Sequence, residues 1–207
     1  MTLLPVDPAA PDPDAIALAA AALAAGQLVV LPTDSVYGVG ADPSIPAAVA
    51  RLFEAKGRPR SRSIPVLVAS LAQVDRLVAL DGRARTAISA FWPGALTLVL
   101  PRKPGVDWDL GEDAATVALR MPAHGVALEL LTQAGPLAVT SANRSDEPTP
   151  RSCQDVRAQL GESVSVYLDA GPSSGESPST VLDLSGELPR VLREGVLPAA
   201  EVLDALG

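Results

Sequence analysis

Residues 31–40 read LPTDSVYGVG and follow the apolar run GQLVV. Thr33, Asp34, Ser35 and Tyr37 therefore stand between a proline and two glycines, directly after a segment of strand composition. A strand exit of this kind is a common place to build a small-molecule site, and a polar turn around a buried tyrosine is the plainer alternative. Three more strand exits carry hydroxyls or cations: Arg120 at the end of TVALR, TSAN at 140–143, and the pair Ser179 and Thr180. A fifth set, KGRPRSRS at 56–63, puts Lys56, Arg58, Arg60 and Arg62 in one short loop. If even three of these converge, they form a cationic pocket rimmed by hydroxyl and amide groups, which is the chemistry of a phosphate and carboxylate site. Taken singly, the basic run reads as a solvated loop and TSAN as a cap or turn.

The usual nucleotide signatures are missing. There is no G-x-x-x-x-G-K-[ST], and Gly38 and Gly40 are not followed by a third glycine at the dinucleotide-binding spacing. An ATP site in this chain has to be built in another way.

Composition narrows the remaining classes. At 207 residues with no linker-like break, the working assumption is one domain spanning 1–207. Hydrophobic residues make up 48% and aromatics 3%, so Ala, Val and Leu must do the packing. A net charge of −8 argues against a surface that coats nucleic acid and leaves room for a local basic cleft. Only Lys56 and Lys103 are lysines among 16 basic residues, so a lysine kept at 56 suggests a need for a compact ammonium. Cys153 is alone, which excludes an intramolecular disulfide and argues against a cysteine metal site. His124, the one histidine, is expected to cap a helix or pack. The N-terminus lacks a basic region and the alanine run after it is too short to span a bilayer, so a soluble, untargeted, cytoplasmic protein is expected.

The elements that must position these groups alternate without regular βαβ repetition. Helices are expected at 12–25, at 44–57 with Ser44 as N-cap and Gly57 as stop, at 71–79 and 81–91, across HGVALELLTQAG, at 152–160, and from Pro198 onward. Lys56 then sits at a helix C-terminus. Strands are expected in QLVVLP, IPVLVAS, ALTLVLP, TVALRMP, PLAVTSAN, VSVYLDAG, STVLDLS and PRVLREG. The pattern predicts an α/β fold with a twisted mixed β-sheet and flanking helices. GPSSGESPS at 171–179 is a lid candidate.

PTDSVYG, KGRP, FWPGALTLVL, VALRMPAH, PLAVTSAN, STVLDL and VLREG occur in an order that resembles the YrdC-type L-threonylcarbamoyladenylate synthases, over about residues 15–197. The resemblance implies a YrdC-like fold, likened to double-stranded RNA-binding domains, with an open, positively lined concave active-site face. It implies an enzyme joining L-threonine, bicarbonate or CO2, and ATP into threonylcarbamoyl-AMP and pyrophosphate, with Mg2+ on the phosphates. The product would pass to a tRNA threonylcarbamoyl transferase complex, with at most weak contact to tRNA and none to membrane. The chain looks like the short form without an added C-terminal domain.

By motif, Thr33, Arg120, Thr140 and Ser179 resemble threonine-binding positions, with Tyr37 shaping the pocket. Lys56, Arg58, Ser141, Asn143, Thr149 and Arg193 resemble nucleotide-binding positions, and Lys56 and Arg58 would neutralise charge during the reaction. Ser145-Asp146 stands where the family often has Ser-Gly, and RSRSIPVLV replaces a shorter path, so no ligand role carries over to Ser63 or Pro65. Three other readings remain at this point: the carbamoyl-adenylating domain of hydrogenase-maturation proteins, a double-stranded RNA-binding module, and a structural protein with a dead site.

Overall fold

The computed structural model describes residues 1–173, 175 and 177–207. Among them, ten strands form one sheet, in the chain order β1 (Thr2–Pro5), β2 (Val29–Leu31), β3 (Gly38–Ala41), β4 (Val66–Leu67), β5 (Leu96–Pro101), β6 (Thr116–Arg120), β7 (Leu137–Ser141), β8 (Val166–Asp169), β9 (Thr180–Asp183) and β10 (Arg190–Arg193). Across the sheet they run β1-β8-β2-β3-β7-β4-β6-β5-β9-β10. Parallel pairs (β1 with β8, β2 with β8, β4 with β6, β5 with β9) mix with antiparallel ones, giving the mixed α/β sheet expected.

Among the described residues, seven α-helices accompany the sheet: α1 (Pro13–Ala24), α2 (Pro46–Lys56), α3 (Leu71–Leu77), α4 (Gly82–Phe91), α5 (Gly125–Ala134), α6 (Cys153–Leu160) and α7 (Ala199–Asp204). Asp12, Ser70, Asp81 and Ser152 cap α1, α3, α4 and α6 through side-chain oxygens, each satisfying an orphan N–H of a first turn. Ser44 does not cap α2. Its hydroxyl and its backbone N–H both bond Asp42 Oδ1, at 2.6 and 2.8 Å, and this local turn leaves Ile45 at the N-cap without a side-chain bond. Gly57 does end α2, in the left-handed region at φ 59°.

The two faces of the sheet are covered differently. On one, Val49, Leu52 and Phe53 of α2, Val74 of α3, Ile88 of α4 and Val156 of α6 meet Val30, Val39, Leu96, Leu98 and Leu119 in the larger core. On the other, Ile16, Ala19 and Leu23 of α1 and Val126, Leu130 and Leu131 of α5 pack on Val29, Leu31, Leu67, Leu137, Val139 and Leu168. That second core takes no residue from β5, β6, β9 or β10. Side chains alternate along a strand, so with Leu96, Leu98 and Leu119 in the first core, Thr97 and Arg120 project toward the second face, beyond its helical cover. This is where a polar site has room.

Two strands escaped the sequence. β1 is a short edge strand beside prolines, paired parallel to β8. β3 begins at Gly38, so the polar segment is the connection of a β2–β3 hairpin rather than a free strand exit.

Candidate active site

The connection between β2 and β3 folds on its own hydroxyls. Thr33 Oγ1 donates to Val36 O at 2.7 Å and accepts from Ser35 N at 3.2 Å, which closes the turn. Tyr37 is buried, donates its phenol to Gly171 O at 2.6 Å and accepts from Ala170 N at 3.0 Å, tying the turn to the end of β8. Burial raises the phenol's pKa, so it remains a donor. A Cβ on Gly38 would lie 2.6 Å from Val139 Cγ1 on β7, so a side chain at the start of β3 would force that valine to shift.

Asp34 and Ser35 face Arg120 at the end of β6. The guanidinium donates from NH2 to Asp34 Oδ1 at 2.6 Å, from NH1 to Ser35 Oγ at 2.8 Å and from Nε to Gly94 O at 2.9 Å. Asp34 Oδ1 also accepts from Ala123 N at 3.0 Å, so one carboxylate fixes both the arginine and the entry to α5. Three of five N–H groups are committed, which leaves one on each terminal nitrogen for a ligand. Burial lowers the Arg120 pKa and the nearby Asp34 charge opposes that shift.

On the far side, Ser179 Oγ lies 2.7 Å from Thr97 Oγ1, and Arg193 donates to Ser179 O at 2.7 Å and to Ser179 Oγ at 3.2 Å. The chain at Gly195 runs so close to Pro178 and Ser179 that a Cβ there would meet Pro178 O at 2.2 Å. Arg58, half-buried, donates to Arg62 O at 2.7 Å and Ser63 O at 2.9 Å, holding the loop after α2. Burial lowers the pKa values of Arg58 and Arg193, and for Arg58 the Arg62 and Arg193 charges add to it.

These groups line one cavity of about 180 Å3. It is smaller than the roughly 300 to 1,000 Å3 of sites for drug-sized ligands, and so of amino-acid size. Thr33, Tyr37, Arg120, Thr140 and Ser179 all reach it, as do Arg58, Ser141, Thr149 and Arg193. Three guanidinium groups share this lining, no Asp or Glu belongs to it among the described residues, and Asp34 pairs with Arg120 from behind. The arrangement suits an anion. Apolar Pro65, Leu67 and Val139 complete the wall.

Two expected residues stand elsewhere. Lys56, 2% exposed, donates its ammonium to Ser141 O and Asn143 O, and its own carbonyl accepts from Ser145 N at 2.7 Å, so it clasps the loop after β7. Burial, and secondarily Arg58, lowers its pKa to about 8. Asn143 is also buried; its Nδ2 donates to Arg144 O and Glu147 O at 2.8 and 2.9 Å, and its Oδ1 has no partner. The basic loop divides as well: Arg58 reaches the cavity, and Arg60 and Arg62 do not. Arg60 lies over Phe53 at 4.7 Å and pairs with Asp109, while Arg62 meets Asp146 at 3.6 Å in solvent. Asp146, in the place where a glycine was expected, takes φ 67°. His124 stands at the N-cap of α5 but makes no capping bond, and burial lowers its pKa.

The lid candidate is packed in part: Gly175 sits against the Ser35 backbone, where a Cβ would come within 2.2 Å of Ser35 O, while Ser174 and Glu176 of that segment lie outside the described residues. Sequence reasoning left Asp34, Ser35 and Thr97 without roles. The signal for Thr97 was present, a hydroxyl in the otherwise apolar run ALTLVL. Among the described residues, no group of His, Cys, Asp and Glu could hold a metal ion, and no helix is long and apolar enough to cross a membrane.

The Sua5/YciO/YrdC family model, described as telomere recombination, matches residues 21–195. The chain is 51% identical over 193 residues to a protein of Mycobacterium tuberculosis, across 93% of this chain and 89% of the other. It is 36% identical over 180 residues to the threonylcarbamoyl-AMP synthase of Klebsiella pneumoniae, across 84% and 94% respectively. The crystal structure of P. abyssi Sua5 complexed with L-threonine superposes with a TM-score of 0.95 at 36% identity; it covers 100% of this chain, which spans 61% of that one.

Proposed function

The chain belongs to the Sua5/YciO/YrdC family, and from that premise we propose that it is a threonylcarbamoyl-AMP synthase, joining L-threonine, bicarbonate or CO2, and ATP with release of pyrophosphate. The observation that carries this reading is the amino-acid-sized cavity in which Arg58, Arg120 and Arg193 meet the hydroxyls of Thr33, Thr140 and Ser179. The threonine carboxylate takes the two free N–H groups of Arg120, a charge-assisted pair held in place by Asp34 and Ser35. The threonine amine adds to CO2, loses a proton and becomes a carbamate. A carbamate oxygen then attacks the α-phosphorus of ATP, and the bond to the β-phosphate breaks as pyrophosphate leaves.

A carbamate is already nucleophilic, so the site needs no strong base. Its work is to hold two anions at reacting distance and to neutralise charge as pyrophosphate departs. The cavity takes the amino acid, and the nucleotide lies outside it with its phosphates directed to Arg58 and Arg193, which share the lining with Ser141 and Thr149. Lys56 and Asn143 serve that lining through the loop they hold. The nucleotide enters as its Mg2+ complex, with the metal on phosphate oxygens and water; the lining residues described offer no carboxylate cage for it. The protein works in the cytoplasm and passes its product to a tRNA threonylcarbamoyl transferase complex, with little affinity for tRNA at a net charge of −8.

Pyrophosphate release, measured with threonine, bicarbonate, ATP and Mg2+ omitted in turn, tests the reading. Release should require all four. Equal release without threonine would refute it.

A further inference from the structure

Thr97 lies on β5, is 2% exposed, and lines the cavity beside Ser179. A hydroxyl buried in a strand needs a partner, and among the described residues the side-chain partner of Thr97 Oγ1 is Ser179 Oγ, at 2.7 Å. The same Ser179 oxygen lies 3.2 Å from Arg193 NH2. A guanidinium only donates, so Ser179 Oγ accepts from Arg193.

The direction of the Thr97–Ser179 bond then follows. Were Ser179 the donor, the Thr97 proton, on the less exposed of the two residues (2% against 6%), would find no acceptor among the described residues. With Thr97 as donor, both lone pairs of Ser179 Oγ are occupied, by Thr97 and by Arg193, and the serine's own proton is the one group left to face the cavity.

We infer that Thr97 is a positioning residue which, with Arg193, fixes the Ser179 hydroxyl as a hydrogen-bond donor toward the cavity, so that this corner takes an anionic oxygen of the substrate and not its ammonium. The inference deepens the synthase reading and rests on it. Two oxygens of that chemistry exist along the reaction, on the threonine carboxylate and on the carbamate. The guanidinium of Arg193 beside Ser179 favours either one, and disfavours a cation.

The test uses the full chain with Thr97→Val, Thr97→Ser, Ser179→Ala and the double variant Thr97→Val/Ser179→Ala. The readouts are threonine-dependent pyrophosphate release, L-threonine binding by calorimetry, and melting temperature. Thr97→Val should lower kcat/KM for threonine about three- to tenfold, the worth of one neutral hydrogen bond. A loss in KM and calorimetric affinity assigns the oxygen to the carboxylate, and a loss in kcat alone assigns it to the carbamate. Thr97→Ser, which keeps the hydroxyl, should restore activity to within about twofold. In the Ser179→Ala background Thr97→Val should have no further effect beyond about twofold, because the two act as one unit.

An unaltered kcat/KM in Thr97→Val overturns the assignment, as does a loss that persists in full in the Ser179→Ala background. If Thr97→Val is poorly folded, comparison with wild type still decides, since activity in a normally melting Thr97→Ser protein more than about twofold below wild type also overturns it. A wild-type chain that neither binds L-threonine nor releases pyrophosphate in its presence overturns the synthase reading, and the assignment with it.

Discussion

Replacing Lys56 by methionine removes an ammonium while keeping the length of the side chain. In the native chain that ammonium holds Ser141 O and Asn143 O at 2% exposure. Ser141 O keeps a second donor, Asn143 N at 3.0 Å, so the substitution orphans chiefly Asn143 O. Charge-assisted bonds contribute about 1.5 to 3 kcal/mol each, and release of a charge from a buried site offsets part of that sum. A net loss of about 2 to 3 kcal/mol is expected, a fall in melting temperature of about 4–12 °C for a domain of this size. Because Ser141 shares the lining with Arg58 and Arg193, the groups proposed to meet the nucleotide, KM for ATP should rise more than KM for threonine.

The pH dependence separates this anchoring role from a direct contact with phosphate. The folded-state pKa of Lys56 is about 8, below its ordinary 10.5. Between those values the folded chain holds fewer protons than the unfolded chain, so this group's contribution to stability rises with pH across that window and is lost as pH falls through 8. Activity should move the other way, declining above about pH 8 as the clasp loses its charge. Lys56→Met should abolish both dependences. Thermal unfolding and steady-state pyrophosphate release across pH 7 to 10.5 would check this. A methionine variant with native melting temperature and lost ATP binding would refute the reasoning and place the ammonium on the triphosphate.

Asp34→Ala breaks a pair in which Arg120 is 7% and Asp34 17% exposed; breaking such a buried pair costs about 3 to 5 kcal/mol, and denaturant unfolding should show it together with a raised KM for threonine. The substrate hydroxyl and methyl should be read unequally: losing one methyl costs about 1–3 kcal/mol, whereas a site built to bond a hydroxyl rejects its absence far more strongly. Serine should accordingly turn over slowly and valine not at all, and kcat/KM values that match for the two would show that the hydroxyl is not recognised.

The parts of the fold that were legible in the sequence are those whose signal is local. Alternation in ALTLVLP and the Ser-x-x-Asp start of α6 place β5 and that helix from a few neighbouring residues. β3 was hidden because GVGA has almost no strand propensity; its glycine at position 38 exists for Val139, a residue about a hundred positions away. Ser44 has the right chemistry for a cap, yet Asp42 two residues earlier takes its hydroxyl.

The site divides in the same way. Arg58, Arg120, Ser179 and Arg193 announce themselves by type and by position at strand ends or in the basic loop. Arg60 and Arg62 carry the same charge in that loop, and only tertiary partners, Phe53, Asp109 and Asp146, turn them aside. Lys56 stands out in the sequence as one of two lysines among 16 basic residues. What its ammonium meets, two backbone carbonyls of a distant loop, could not be read from its neighbours.

The proposed reaction brings an amino acid held in the cavity together with a one-carbon acid and a nucleotide that reaches its cationic lining. Mass spectrometry of the reaction with carbon-13 bicarbonate, L-threonine and ATP tests it most directly. The account predicts a threonylcarbamoyl adenylate that carries the label and forms in equal amount with pyrophosphate, and that disappears when Arg120 is replaced by alanine in a chain that still folds. Pyrophosphate formed without a labelled adenylate, or a labelled product undiminished by Arg120→Ala, would contradict it.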